Sequence, residues 1–235
     1  IPQAMGMTVL MEEGKGPLLP EVIKNKADID ALLTDATEER LDYVMKALTL
    51  TKQELNGRVP LIGFAGAPWT LLCYMVEGKG SKTFDKAKQF CFTQPELAHA
   101  LLQKITDVTI KYLKAQIKAG ADTVQVFDSW SGMLSPADFK LFAQPYLVQI
   151  ADAVSKDAPV ILFPKGSWYA LSDLSKTSAA GLGIDWSVTP ELARNLTNNG
   201  ITLQGNFDPS KLLAPIPQIK KEVKEMIAAF GVNKY

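Results

Sequence analysis

Residues Asp122–Asp128 read DTVQVFD, a short, mostly apolar run rich in β-favouring residues. It is too short for a helix and suits a strand covered on both sides. Upstream, Leu97, Leu101, Ile105, Val108 and Tyr112 recur every three or four positions, which marks one apolar stripe of a long helix. Thr93 and Glu96 stand where a capping box would open that helix, and Gly120 stands where it would stop. Downstream, Ser135-Pro136-Ala137-Asp138 is the start signal of another helix, and Thr189-Pro190-Glu191 repeats it. Four more runs resemble DTVQVFD: Val59–Ala65, Pro159–Phe163, Gly181–Trp186 and Ile201–Asn206. Asp30–Leu55 reads as one further helical stretch. Strands alternating with helices along the chain predict an α/β fold with a parallel sheet.

That sheet is an open doubly wound one or a barrel, and the absent motifs favour the barrel. No strand is followed by GxGxxG or by a P-loop, and the Gly-Leu-Gly at 181–183 lies inside a predicted strand. The expectation is an α/β barrel forming a single domain over residues 1–235, with five strands placed. The opening IPQAMGM looks like the tail of a strand entering a loop. The closing GVNKY looks like a helix end at Gly231 stepping into a new strand. Both ends therefore read as cuts through a larger barrel.

Composition narrows the function. The 235 residues carry 25 basic and 25 acidic side chains, and 47% are hydrophobic. Zero net charge speaks against broad binding to nucleic acid or an anionic membrane. No apolar run reaches the ~18 residues of a membrane span. Cys73, Cys91 and His99 supply at most three N/S ligands, so a structural zinc site is not expected, and no CxxC or disulfide framework exists. No Ser sits in GxSxG, and His99 falls on a helix away from every strand end.

In a barrel the chemistry follows the strands, so the strand ends hold the candidates. The first end offers Phe64, then Trp69 and Tyr74 on the next helix. The loop Glu77–Lys82 beyond it reads either as an anion-binding lid or as a plain connector. The second end offers Phe127, Asp128, Ser129 and Trp130, with Asp128 or Ser129 alternatively capping the next turn. The third holds Phe163 and Trp168, the fourth Asp185, the fifth Asn206; the last two serve equally well to satisfy local backbone. So many aromatic side chains after strands suggest a mouth for a large flat or macrocyclic ligand.

The segments IPQAMGM, PLIGFAGAPWTLLCYMVEGKGSK, GADTVQVFDSWSGMLSP, GLGIDW and LQGNFDP together resemble the uroporphyrinogen decarboxylase family, in order and over essentially the whole chain. The resemblance implies a (βα)8 TIM barrel, of which about five of eight strands are placed, and a cytoplasmic homodimer of haem biosynthesis. It implies cofactor-free removal of CO2 from the four acetates of uroporphyrinogen III to give coproporphyrinogen III. By that resemblance Tyr74 and Ser129 bind substrate through their hydroxyls, and Phe64 and Phe127 line the cleft. The family's catalytic Asp and Arg motifs correspond to positions before Ile1, and its substrate-binding His to a position after Tyr235. No catalytic residue is therefore assigned within the chain, which is expected to be inactive alone. A zinc-dependent corrinoid or thiol methyltransferase on the same barrel, or a non-catalytic tetrapyrrole-binding protein, stand as alternatives.

Overall fold

Five short strands hydrogen-bond side by side in the order in which they occur along the chain. A computed structural model describes residues 1–12, 14 and 16–235. The strands are β3 (Ile62–Gly66), β4 (Thr123–Asp128), β5 (Val160–Pro164), β6 (Gly181–Gly183) and β7 (Thr202–Gln204), and every neighbouring pair is parallel. They follow a small antiparallel hairpin, β1 (Leu10–Glu12) and β2 (Gly16–Leu18), that sequence reading did not anticipate. The order never reverses, so the sheet is a stretch of TIM-barrel wall and not a doubly wound sheet with a switch point.

Helices fill the intervals: α1 (Lys26–Asp30), α2 (Thr37–Arg40), α3 (Asp42–Leu55), α4 (Pro68–Glu77), α5 (Asp85–Thr93), α6 (Pro95–Lys118), α7 (Pro136–Phe142), α8 (Gln144–Val154), α9 (Leu171–Leu174), α10 (Pro190–Leu196) and α11 (Ile216–Phe230). The stripe read from the sequence is the packed face of α6, where Leu101, Ile105 and Val108 are fully buried. Ser135 and Thr189 cap α7 and α10, accepting from the N–H groups of Asp138 and Leu192. Gly120, at φ +116°, follows the end of α6 as expected.

Pleating sorts the strands into two faces. Ala65, Val124, Val126, Asp128, Val160, Leu162, Leu182 and Leu203 are buried on the helix-covered face. Ile62, Phe64, Phe127, Ile161, Phe163, Thr202 and Gln204 lie on the opposite, inner face and keep partial or full exposure. β3 is closed along its outer edge by a side chain. Gln116 of α6 accepts from the Phe64 N–H through Oε1 at 2.9 Å and donates from Nε2 to the Phe64 carbonyl at 2.8 Å. Gly63 makes this possible, because a Cβ there would stand 2.6 Å from Gln116 Oε1.

Several expectations need correction. The stretch Asp30–Leu55 is not one helix: α1 ends at Asp30, residues 31–36 are non-helical with Ala36 at φ +51°, and α2 and α3 follow, parted at Leu41. Arg40 there reaches back to the Ala4 carbonyl at 2.8 Å, a long-range bond that local periodicity does not reveal. Thr93 does not open α6. It belongs to the last turn of α5, its hydroxyl donates to the Gln89 carbonyl, and α6 starts at Pro95 without a side-chain cap. IPQAMGM is a knot of turns around Met5, with Met5 N–H donating to the Ile1 carbonyl. GVNKY follows the helix end at Gly231 but forms no strand among the described residues; the Leu203 N–H donates to the Lys234 carbonyl at 2.9 Å. β3, β6 and β7 are shorter than read. Before β3 the Asp122 carboxylate takes the Leu61 N–H while its own N–H donates to the Leu61 carbonyl, and beyond β6 Asp185 accepts the Ser187 N–H.

Replacing Gln116 with Leu leaves the Phe64 N–H and carbonyl unpaired behind α6. We expect a loss of about 1–3 kcal/mol, read as a lower urea midpoint at unchanged m-value; an unaltered midpoint would show that the edge needs no partner.

Candidate active site

The C-terminal ends of β3, β4 and β5 bring three aromatic rings together. Phe64 meets Phe127 edge-on at 5.9 Å, and Phe127 meets Phe163 edge-on at 5.8 Å. Phe127 and Phe163 are direct register partners, whereas Phe64 pairs with Gln125 and reaches Phe127 along the diagonal. The ladder lies on the inner face, and Phe64 remains 62% exposed. Gly183 keeps the next strand out of its way, since a Cβ there would fall 2.7 Å from the Phe163 ring. The result is an apolar floor of ring edges and faces, suited to a flat ligand.

Tyr74 and Ser129 are placed at a corner beside this floor. Tyr74 is half-buried on α4, with its ring 6.2 Å from Phe84 and 6.3 Å from Trp130. It is thus joined to the residue that follows Ser129, and not to the Phe64–Phe127 pair. The corner is braced by Trp69, whose indole N–H donates to the Trp130 carbonyl at 3.1 Å. Ser131 donates to the carbonyls of Asp128 and Lys165. None of these bonds uses the hydroxyls of Tyr74 or Ser129.

Asp128 was a candidate ligand and proves to face the other way. Its carboxylate is completely buried on the helix side of β4, accepting from the Thr70 hydroxyl at 2.7 Å. The second carboxylate oxygen has no partner among the described residues. Burial pushes its pKa up to about 7, against the opposing pull of the Thr70 hydrogen bonds. The reason for the misreading is parity: Phe127 lies on the inner face, so the next strand residue points into the helix layer.

The other candidates resolve mostly into structure. Asp185 accepts the Gly166 and Ser187 N–H groups, and Asn206 donates to the carbonyls of Asp185 and Val188. Ser81, in the Glu77–Lys82 loop, accepts the Thr83 and Phe84 N–H groups, while Lys79 and Lys82 are exposed. His99 bonds the Tyr146 hydroxyl through Nδ1 at 2.7 Å and stacks on Phe142 in the helix layer. Cys73 and Cys91 are buried free thiols, with burial pushing Cys91 up to about 12. Trp69 is core, and Trp168 is an exposed ring at the end of β5. Among the described residues no group of three His, Cys, Asp or Glu side chains is placed to hold a metal.

Sequence reading passed over Lys165, which follows β5. It is half-buried, with Nζ 5.5 Å from the centroid of Trp186. An open groove of about 740 Å³ runs alongside, lined by Trp186, Val188, Asn206, Phe207 and Lys211. Trp186 arrives 21 positions after Lys165, so no local signal links them.

Comparison with known proteins gives one consistent result. The family model described as uroporphyrinogen decarboxylase (URO-D) matches residues 1–235. A uroporphyrinogen decarboxylase of Flavobacterium johnsoniae is 56% identical over 235 residues, covering 100% of this chain and 69% of that protein. One from Schizosaccharomyces pombe is 47% identical over 244 residues, covering 100% and 68%. Among solved structures, a methyltransferase from Methanosarcina mazei superposes with a TM-score of 0.82 at 22% identity, over 98% of this chain and 68% of that one. At that identity the likeness speaks for the barrel fold alone.

The buried Asp128 sets a pH dependence. Its folded-state pKa lies above that of the unfolded chain, so the folded state holds the proton more tightly. Stability therefore falls as pH rises from about 4 to about 7, by up to roughly 4 kcal/mol, and is level outside that window. Asp128→Asn keeps an acceptor for Thr70 and has no charge to bury. Urea titrations at pH 5 and pH 8 should show wild type losing stability between the two values and the variant losing much less; parallel behaviour would refute the assignment.

Proposed function

The chain belongs to the uroporphyrinogen decarboxylase family, and on that premise we propose that it removes CO2 from the four acetate side chains of uroporphyrinogen III, giving coproporphyrinogen III in haem biosynthesis. The single observation that carries the reading, beyond the relatives, is the three-ring floor of Phe64, Phe127 and Phe163 on the inner face of the wall. A tetrapyrrole is broad and apolar at its centre and carboxylated at its edge. Ring contacts under the centre and polar groups at the rim match that pattern.

Each turnover breaks the bond between an acetate methylene and its carboxylate. The electron pair left behind needs a sink, which a protonated pyrrole provides, and a proton then converts the methylene to a methyl group. Such chemistry asks the protein for a stabilising charge near the pyrrole and for exclusion of water. The strand-end carboxylates Asp128 and Asp185 are both committed to structure, so neither supplies that charge. The contribution of the residues at hand is binding and orientation. The phenyl floor holds the macrocycle, and the hydroxyls of Tyr74 and Ser129 donate to its peripheral carboxylates.

The same reading makes the protein a cytoplasmic homodimer. Among the described residues no helix is long and apolar enough to cross a membrane. Exposed Leu212, Leu213 and Ile216 at the entry to α11 support a pairing surface.

The test is CO2 release from uroporphyrinogen by the intact protein; no turnover would overturn the reading. Within an active preparation, Tyr74→Phe and Ser129→Ala should each lower kcat/KM by an amount equivalent to about 1–3 kcal/mol. Unchanged kinetics in either variant would remove that residue from the substrate site.

A further inference from the structure

Trp130, just after β4, is held in three ways by one helix. Its N–H donates to the Thr70 hydroxyl at 3.3 Å, its carbonyl accepts from the Trp69 indole at 3.1 Å, and its ring meets the Tyr74 ring edge-on at 6.3 Å. All three partners lie on α4. Thr70 and Tyr74 are four positions apart, so they share one face of that helix, a turn apart. Trp69 and Thr70 are buried, and the Ala67 N–H ties the start of α4 to the Phe127 carbonyl at 2.8 Å.

This grip depends on which way the Thr70 hydroxyl points. A hydroxyl has one proton, and Thr70 gives it to Asp128 Oδ1 at 2.7 Å. Its oxygen is thereby left to accept the Trp130 N–H. Oδ1 accepts whether the acid is ionised or carries its proton on the other oxygen. An edge-on aromatic pair tolerates centroid separations of roughly 4.5–7 Å, so ring contact alone does not place the Tyr74 phenol. Hydrogen bonds to both the N–H and the carbonyl of Trp130 fix the backbone that carries the facing ring. The contacts form a chain, from the fully buried Asp128 through Thr70 and Trp130 to the half-buried Tyr74.

We propose that Asp128 and Thr70 are positioning residues for the reaction: the buried carboxyl group orients the Thr70 hydroxyl, and that hydroxyl holds α4 and Trp130 in the arrangement that aims the Tyr74 hydroxyl at the substrate. Neither residue touches the tetrapyrrole. The proposal rests on the decarboxylase reading, in which Tyr74 binds substrate, and adds the groups that stand behind it.

A double-mutant cycle in CO2 release by the intact protein separates positioning from plain stability. Thr70→Val keeps the shape and removes the hydroxyl, and should lower kcat/KM by about tenfold or more. Tyr74→Phe added to Thr70→Val should then cost less than about twofold further. Thr70→Ser keeps the hydroxyl and Asp128→Asn keeps an acceptor; each should stay within about threefold of wild type and retain the full cost of Tyr74→Phe. Asp128→Ala removes the acceptor and serves for the same cycle if Thr70→Val fails to fold. If wild type turns over and Tyr74→Phe costs the same factor in every background, the pair is merely structural: the proposal is overturned and the decarboxylase reading stands. If Tyr74→Phe alone costs nothing in an active protein, the proposal falls with the place of Tyr74 in the site. If wild type releases no CO2, both fall.

Discussion

Asp128 and Pro164 lie opposite each other across the β4–β5 ladder, and that register governs what each strand end presents. It sets Phe127 beside Phe163 and sends the carboxylate of Asp128 into the helix layer, against Thr70. A slip of one residue would exchange the two faces. The rings would enter the packed helix layer, and a charged group would stand over the apolar floor. The fixed backbone contacts at Gly132 and Gly166, too close for side chains, hold the strand ends at this register.

The site then divides into two kinds of surface. The inner face of the wall is apolar at its floor, with partial exposure at Phe127 and Phe163 and broad exposure at Phe64. The corner behind it is tightly packed: Phe84 and Trp130 flank Tyr74, and the Trp69 indole is tied to the Trp130 backbone. A rigid corner beside an open floor suits a ligand that must be placed to within a fraction of an ångström while remaining large. The aromatic cluster thus fixes the ring of Tyr74, whose hydroxyl is the one proposed to donate to substrate.

β4 and β5 were legible in the sequence because each is rich in Val, Ile, Leu or Phe and bounded by Pro or Asp, a local signal that is weaker at β6 and β7. The caps at Ser135 and Thr189 were legible for the same reason. What local pattern does not carry is direction and distance. Residues 31–36 contain nothing that forbids a helix, and the bonds around the break, Leu33 N–H to the Met5 carbonyl and Arg40 to the Ala4 carbonyl, join it to residues far off in sequence. Thr93 has the chemistry of a cap but is already inside α5. Asp128 sits at a strand end, as a ligand-binding acid would, and only the parity of the pleat shows that it faces the helices. Lys165 looks like an ordinary charge after a proline until Trp186, from the following strand end, lies over it. Family resemblance supplied Tyr74 and Ser129 from a motif, yet it says nothing of the braces that place them.

The 24-residue helix α6 sits between two sets of partners that differ in distance along the chain. α4, α5, α7 and α8 come from segments close to it in sequence and bury apolar faces against it. The first 58 residues share that core through Ile29 and Leu32 and add polar contacts spanning 70 or more positions, Lys104 to the Ile29 carbonyl and Lys111 to the Thr34 carbonyl, while Lys52 pairs with Asp122 just beyond the helix. Loop closure costs entropy, and exposed ion pairs return little of it. On that entropy alone the N-terminal layer is expected to dock later than the middle of the chain. Amide exchange would read the protein as two shells, a slow one around α6 and a faster one laid over it.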